Sequence, residues 1–313
     1  MRIIVLHARV KMGAKRSNIR RLGMLIERVM NEVPGPVDMI VLPSYPFTGP
    51  IIGYYNKTKV QTKLREFAEK VTERPGSVGP SVNFMSKWSW EYGVYLMGGP
   101  IIERAGPRLY LTTVITSPEG GVWGKYRKVH LTRDEVEAGI SYGREPGVFK
   151  LKGNMSVGVF IDEDLALPEL FRAMQIYDVN VIVGGMMPYN SEVLGRIVEY
   201  DGGIITMDTN IINNFLIARS REVGVPIILV GGILDLGSSE TIAFMETVPV
   251  DPDDGVIKSK SYGLTDDDEH MIVEVDRNNS SSRPAPEAAL RLFKALLCRN
   301  KRNTFNAGGN EIY

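Results

Sequence analysis

The chain has 313 residues, 43% of them hydrophobic and 24% charged, and its 37 Lys and Arg equal its 37 Asp and Glu. That composition suits an ordinary globular core, and the zero net charge excludes an overall field that would draw nucleic acid or an anionic membrane. No apolar run approaches the roughly 20 residues needed to span a bilayer, and the lone cysteine, Cys298, excludes an intrachain disulfide.

The opening run Met1–His7 carries one basic residue and a short apolar stretch, so it reads as a first β-strand and not as a secretion signal. A cytoplasmic protein is therefore expected. From Asn18 to Val33, Ile19, Leu22, Leu25, Ile26 and Val29 recur at helical spacing. Val37–Pro43 has the pattern of a buried strand ending in a turn. A second such strand reads Asn180–Gly185, and a third, Pro226–Gly232, follows a helix around Phe215–Val223. Both end in glycine pairs, which mark close approach of the backbone to another element or to a ligand. The acidic run Asp266–Glu269 is expected to be a solvated turn before a strand at Met271–Val275, with metal binding a minor alternative. Alternation of strands and helices over the whole length predicts an α/β fold.

A polar segment, Arg277–Pro286, leads into a C-terminal helix with Leu290, Phe293 and Leu297 on one face. Cys298 falls at its end, without the neighbours a catalytic thiol needs, and is expected to be a packing residue. From Arg277 onward seven Lys or Arg face two Asp or Glu. That basic excess suits a solvated or dimer-packing helix better than a nucleic-acid arm. The last residues, Asn306–Tyr313, read as a loose terminus. His7, His130 and His270 are scattered without ligand spacing, so neither a metal nor another cofactor is expected. Two glutamines, one cysteine and many Ile and Val point to a thermophilic source, against which the abundant Asn weighs.

Several segments, taken in order and spacing, carry more information than any of them alone. They include Asp38–Ser44 with Thr48-Gly49, Gly98–Arg104, and Gly124-Lys125-Tyr126-Arg127-Lys128-Val129-His130-Leu131. Ile161–Glu169, Ala218–Glu222, Gly237–Ser239 and Ile272–Asp276 follow. Together they resemble the nitrilase, or carbon–nitrogen hydrolase, superfamily over roughly residues 1–283, leaving 284–313 as a C-terminal helix and tail for oligomer or partner contact. The Tyr-Arg-Lys-x-His-Leu run is the most specific piece.

The resemblance implies a four-layer α-β-β-α sandwich with the site at strand ends, and assembly into homodimers or larger homo-oligomers. In such enzymes a thiol attacks a nitrile or amide carbon. A Glu acts as general acid and base, a Lys stabilises the tetrahedral oxyanion, and a second Glu orients these groups. Lys128 holds the lysine position. Glu135 falls where the second Glu is expected, with Glu137 nearly as good and a helix-start surface acid as the alternative reading of either.

The other two positions depart from the pattern. Ser44 stands where the Glu should be, with no carboxylate between Met39 and Asn56, and Asp162 stands where the Cys should be. A carboxylate has left position 44 and another has appeared at 162. The expectation is a degenerate triad in which Lys128, Asp162 and Glu135 form a structural polar cluster, because an unpaired buried lysine is strongly unfavourable. Three functions follow. The first is a pseudoenzyme acting as a binding or assembly module, its pocket either holding a small amide or amine or filled by side chains. The second is a hydrolase of carbon–nitrogen bonds with a rearranged Lys128, Asp162 and Glu135 site. The third is a nucleic-acid or ribonucleoprotein partner working through the basic tail.

Overall fold

The computed structural model describes residues 1–72, 77–188, 194, 197–200, 204–207, 209–237, 242–245, 247–253, 255–256, 268–275 and 291. The segment Arg277–Pro286, the C-terminal helix with Cys298, the terminus Asn306–Tyr313 and the Asp266-Asp267 part of the acidic run lie outside the described residues, apart from residue 291.

The first half runs β1 (Arg2–His7), β2 (Arg9–Lys11), α1 (Lys15–Glu32), β3 (Met39–Ser44), α2 (Lys57–Phe67), α3 (Pro80–Tyr92), β4 (Tyr95–Ala105), β5 (Arg108–Thr116) and β6 (Val122–Arg127). After it come α4 (Arg133–Glu137), β7 (Gly147–Leu151), β8 (Met155–Ile161), α5 (Pro168–Ile176) and β9 (Val181–Gly185). The chain continues through β10 (Ile197–Tyr200), β11 (Ile204–Met207), α6 (Thr209–Val223), β12 (Ile227–Val230), β13 (Gly232–Asp235) and β14 (Ile242–Met245). It closes with β15 (Val248–Asp251), β16 (Gly255–Val256) and β17 (Glu269–Glu274).

Two six-stranded sheets dominate, ordered β17-β1-β3-β4-β5-β6 and β16-β15-β12-β9-β8-β7, with a five-stranded sheet β10-β11-β14-β13-β2 beside them. The central strands are apolar on both faces, and their period of two sorts side chains between layers. Ile3 and Val5 of β1 and Met39 and Val41 of β3 point into the core shared with the second sheet, where they join Val157, Val159 and Val183. Ile4, Leu6, Ile40 and Leu42 point the other way, under Leu22, Ile26, Val82 and Met85 of α1 and α3. Phe171 and Met174 of α5 and Leu216 of α6 cover the second sheet. The result is the helix–sheet–sheet–helix sandwich.

Some element limits differ from the sequence reading. α1 begins at Lys15 rather than Asn18, and Asn18 instead spends its side chain on the backbone, accepting from Lys11 N and donating to Lys11 O and Phe47 O. β3 extends through Ser44, paired with Gly99, so the turn starts at Tyr45. The single apolar run Pro226–Gly232 supplies strands to two different sheets, β12 and β13, with Gly231 between them. Asp268 is not a solvated turn residue: its side chain is 13% exposed, ion-paired to Arg21 at 2.7 Å, and accepts from Arg9 N at 2.8 Å.

The glycine pairs lie where the sheets converge. Ser44 N donates to Gly231 O at 3.1 Å. A Cβ at Gly185 would lie 2.7 Å from Ser44 Oγ, so only glycine lets β9 approach β3 this closely. Among the described residues no helix is long and apolar enough to cross a membrane.

Candidate active site

The ends of β3, β6 and β8 and the short helix α4 converge around Lys128. It follows β6, and its backbone is pinned on both sides, N donating to Leu111 O at 2.9 Å and O accepting from Gly143 N at 2.8 Å. Its side chain is fully buried. The ammonium donates to Glu135 Oε1 at 2.7 Å, to Glu135 Oε2 at 3.0 Å and to Glu163 Oε2 at 2.7 Å. Asp162 Oδ2 lies 3.6 Å away, an ion-pair distance beyond hydrogen-bond reach.

Glu135 sits on α4 through a capping box. Thr132 Oγ1 accepts from Glu135 N at 3.2 Å, and Glu135 Oε2 accepts from Thr132 N at 2.8 Å. The T-x-x-E spacing thus makes Glu135 a helix-start acid, but a buried one that faces Lys128. Glu137, the other candidate, points outward to Lys57 at 2.7 Å and Arg133 at 3.1 Å.

Asp162 occupies the turn after β8 with φ +47°, a left-handed conformation unusual for a residue other than glycine. Such a residue costs on the order of 1–3 kcal/mol and persists where the surroundings over-determine it. They do so through Asp164, which accepts from Ile161 N at 3.0 Å, His130 N at 2.8 Å and Tyr126 Oη at 2.7 Å. Asp164 therefore clamps the turn to the segment that carries Lys128. Tyr45, the residue after β3, also has positive φ (+48°) and donates its hydroxyl to Asp162 Oδ2 at 2.5 Å.

Burial dominates the electrostatics. It raises the Asp162 carboxyl from 3.8 to about 8 against the pull of Lys128, with Glu163 adding to the rise. It likewise raises Glu135 and Asp164. For Lys128 burial works against the charge, but Glu135, Asp162 and Glu163 outweigh it and hold the ammonium firmly protonated. Among the described residues, three buried side-chain oxygens here have no hydrogen-bond partner: Ser44 Oγ, Asp162 Oδ1 and Glu163 Oε1.

A cavity of about 300 Å³ opens beside the cluster. Tyr45, Glu135, Glu163 and His130 line it together with Thr48, Gly49 and an apolar wall that includes Ile51, Ile102, Leu111 and Leu131. Ser44, Lys128 and Asp162 do not line it. The fold therefore brings Lys128, Glu135 and Asp162 together, while Ser44 is buried at 1% exposure with an idle hydroxyl. Sequence reading missed Glu163, the second direct partner of Lys128, and Tyr45, the cover over Asp162. The signal for Glu163 was its place in the Asp162-Glu163-Asp164 run, where three consecutive acids after a buried strand cannot all be solvated. Glu135, Asp162 and Glu163 have oxygens within 4.8 Å of one another, a donor set a divalent ion can use. The Lys128 ammonium already lies at 2.7–3.6 Å from all three and supplies the cation that set requires.

The α-β-β-α sandwich is the fold of the carbon–nitrogen hydrolases. Residues 5–279 match the carbon-nitrogen hydrolase family, and the chain belongs to it. It is 27% identical to omega-amidase NIT3 of Saccharomyces cerevisiae over 165 residues, 50% of this chain and 53% of that protein. A stretch of 77 residues, 25% of this chain and 26% of the other, is 35% identical to human omega-amidase NIT2. The chain thus spans about half or less of the length of these relatives. The crystal structure of yeast Nit3 superposes with a TM-score of 0.68 at 21% identity, covering 88% of this chain and 90% of that one. The Nesterenkonia AN1 amidase superposes with a TM-score of 0.65 at 16% identity, covering 96% of each chain. At these identities the likeness establishes the fold. Another structure of that amidase carries the acetamide moiety of fluoroacetamide added covalently at its active-site cysteine.

Proposed function

We propose that this carbon–nitrogen hydrolase family member has lost thiol-dependent amide and nitrile hydrolysis and acts as a binding or assembly module with a small-ligand pocket. The closure of Asp162 carries the reading. A carboxyl group acts as a nucleophile only when ionised and within reach of its substrate. Asp162 is held in its acid form near neutral pH, is covered by the Tyr45 hydroxyl, and is 0% exposed. Ser44 Oγ has no partner that would activate it. The Lys128 charge is spent on Glu135 and Glu163, so a developing oxyanion would meet a cation already neutralised.

One observation favours the second reading, a hydrolase with a rearranged site: Glu135 and Glu163 line the cavity and are chemically able to hold and deprotonate a water. The two readings separate in one experiment. Ammonia release is measured from a panel of nitriles, amides and carbamoylated amines, first with the native chain and then with Ser44→Glu combined with Asp162→Cys. The proposal expects no turnover by the native chain, and native turnover overturns it. Activity confined to the double variant supports a lost reaction. Homo-oligomer assembly and partner contact through residues 284–313 are part of the same proposal, tested by light scattering on the full chain and on a chain ending at Arg283. A salt-sensitive gel shift lost on that truncation would instead favour nucleic-acid binding through the basic tail.

A further inference from the structure

The cavity and the cluster together indicate what the pocket holds. One ammonium, Lys128, serves three carboxyl groups within 3.6 Å. Glu163 is 2% exposed and lines the cavity, yet only its Oε2 is used, by Lys128, while Oε1 has no hydrogen-bond partner. A buried carboxylate oxygen without a donor is costly and is normally satisfied. Arg133, also on the wall, does not balance the charge, because its guanidinium is 83% exposed and paired with Glu137. The lining also includes aliphatic side chains, Ile51 and Leu131 among them.

We infer that the pocket binds a small organic monocation, a primary alkylammonium whose charged head pairs with Glu163 and Glu135 and whose aliphatic body lies against the apolar wall. A neutral amide lacks the charge that the glutamates seek, and a carboxylate meets their repulsion. The inference rests on the reading that the pocket holds a ligand without cleaving it.

The test titrates the full-length native chain with n-butylammonium, n-butyramide and n-butyrate by calorimetry, with ammonia release from butyramide followed in parallel. The expected result is that butylammonium binds at least about ten-fold more tightly than butyramide, butyrate does not bind, and no ammonia appears. Glu163→Gln is expected to weaken butylammonium about ten-fold or more, whereas Glu137→Gln, altering a surface acid outside the cavity, leaves it unchanged. Equal or tighter binding of butyramide, or no binding of butylammonium, by the native chain overturns the cation inference without recourse to any variant. Unaltered affinity in a folded Glu163→Gln variant also overturns it. Ammonia release overturns the non-catalytic reading whatever the affinities, so the two failures are distinguishable.

Discussion

The Tyr45 hydroxyl donates to Asp162 Oδ2 at 2.5 Å and so bridges the ends of β3 and β8, where the family pattern places the base, at Ser44 as the last residue of β3, and the nucleophile, at Asp162 just after β8. Tyr45 and Asp162 both hold positive φ. Tyr45→Phe leaves Asp162 Oδ2 without its donor and should cost about 1–2 kcal/mol in denaturant unfolding. Asp162→Ala, which removes the acceptor and opens a buried void, should lower the melting midpoint further. An unchanged midpoint in Asp162→Ala would sink the idea of a structural cluster.

Asp162 should leave a mark on the pH dependence of stability. Its carboxyl titrates at about 8 in the fold and at 3.8 when unperturbed. Between these values the folded chain keeps a proton that the unfolded chain has released, so this group's contribution falls as pH rises and levels off above about pH 8. Asp162→Asn cannot ionise. The midpoint of the Asn variant relative to the native chain should therefore rise steadily from pH 5 to pH 8. A constant difference across a calorimetric pH series contradicts an acid-form Asp162.

Lys128 and Ser44 should behave in opposite ways although both stand at triad positions. Lys128→Met strips from three buried carboxyls the only cation that pairs with them among the described residues, and should cost roughly 3–5 kcal/mol. Ser44→Ala removes a hydroxyl without a partner and should change stability by less than about 0.5 kcal/mol, in either direction. Urea unfolding of the two variants under one set of conditions checks the contrast.

Glu135 and Glu163 share Lys128, whereas Glu137 pairs with Lys57 and Arg133 at the surface. Glu135→Gln should lower the melting midpoint clearly, since it weakens both the Lys128 contact and the capping box of α4. Glu137→Gln should leave it nearly unmoved. Parallel thermal melts decide between them.

Much of the sandwich was legible from local pattern, because strands buried on both faces must be continuously apolar and helices against them must repeat every 3.6 residues. Ile40 and Val41 in β3, and Leu22 and Ile26 in α1, satisfy those periods. The family signature likewise fixed where Lys128, Ser44 and Asp162 stand along the chain. Spacing left Glu137 nearly as good a candidate as Glu135; the turn of α4 sends Glu135 to Lys128 and Glu137 to solvent. The acidic run Asp162-Glu163-Asp164 marked a place where carboxyls crowd, but did not show that Glu163 would take the short contact to Lys128 while Asp162 stood back at 3.6 Å under Tyr45. Those outcomes depend on how the ends of β3, β6 and β8, from two sheets, are placed against one another. A one-dimensional pattern names the residues at such a junction, but the direction of each side chain, and which carboxyl takes the proton, is set by three-dimensional burial.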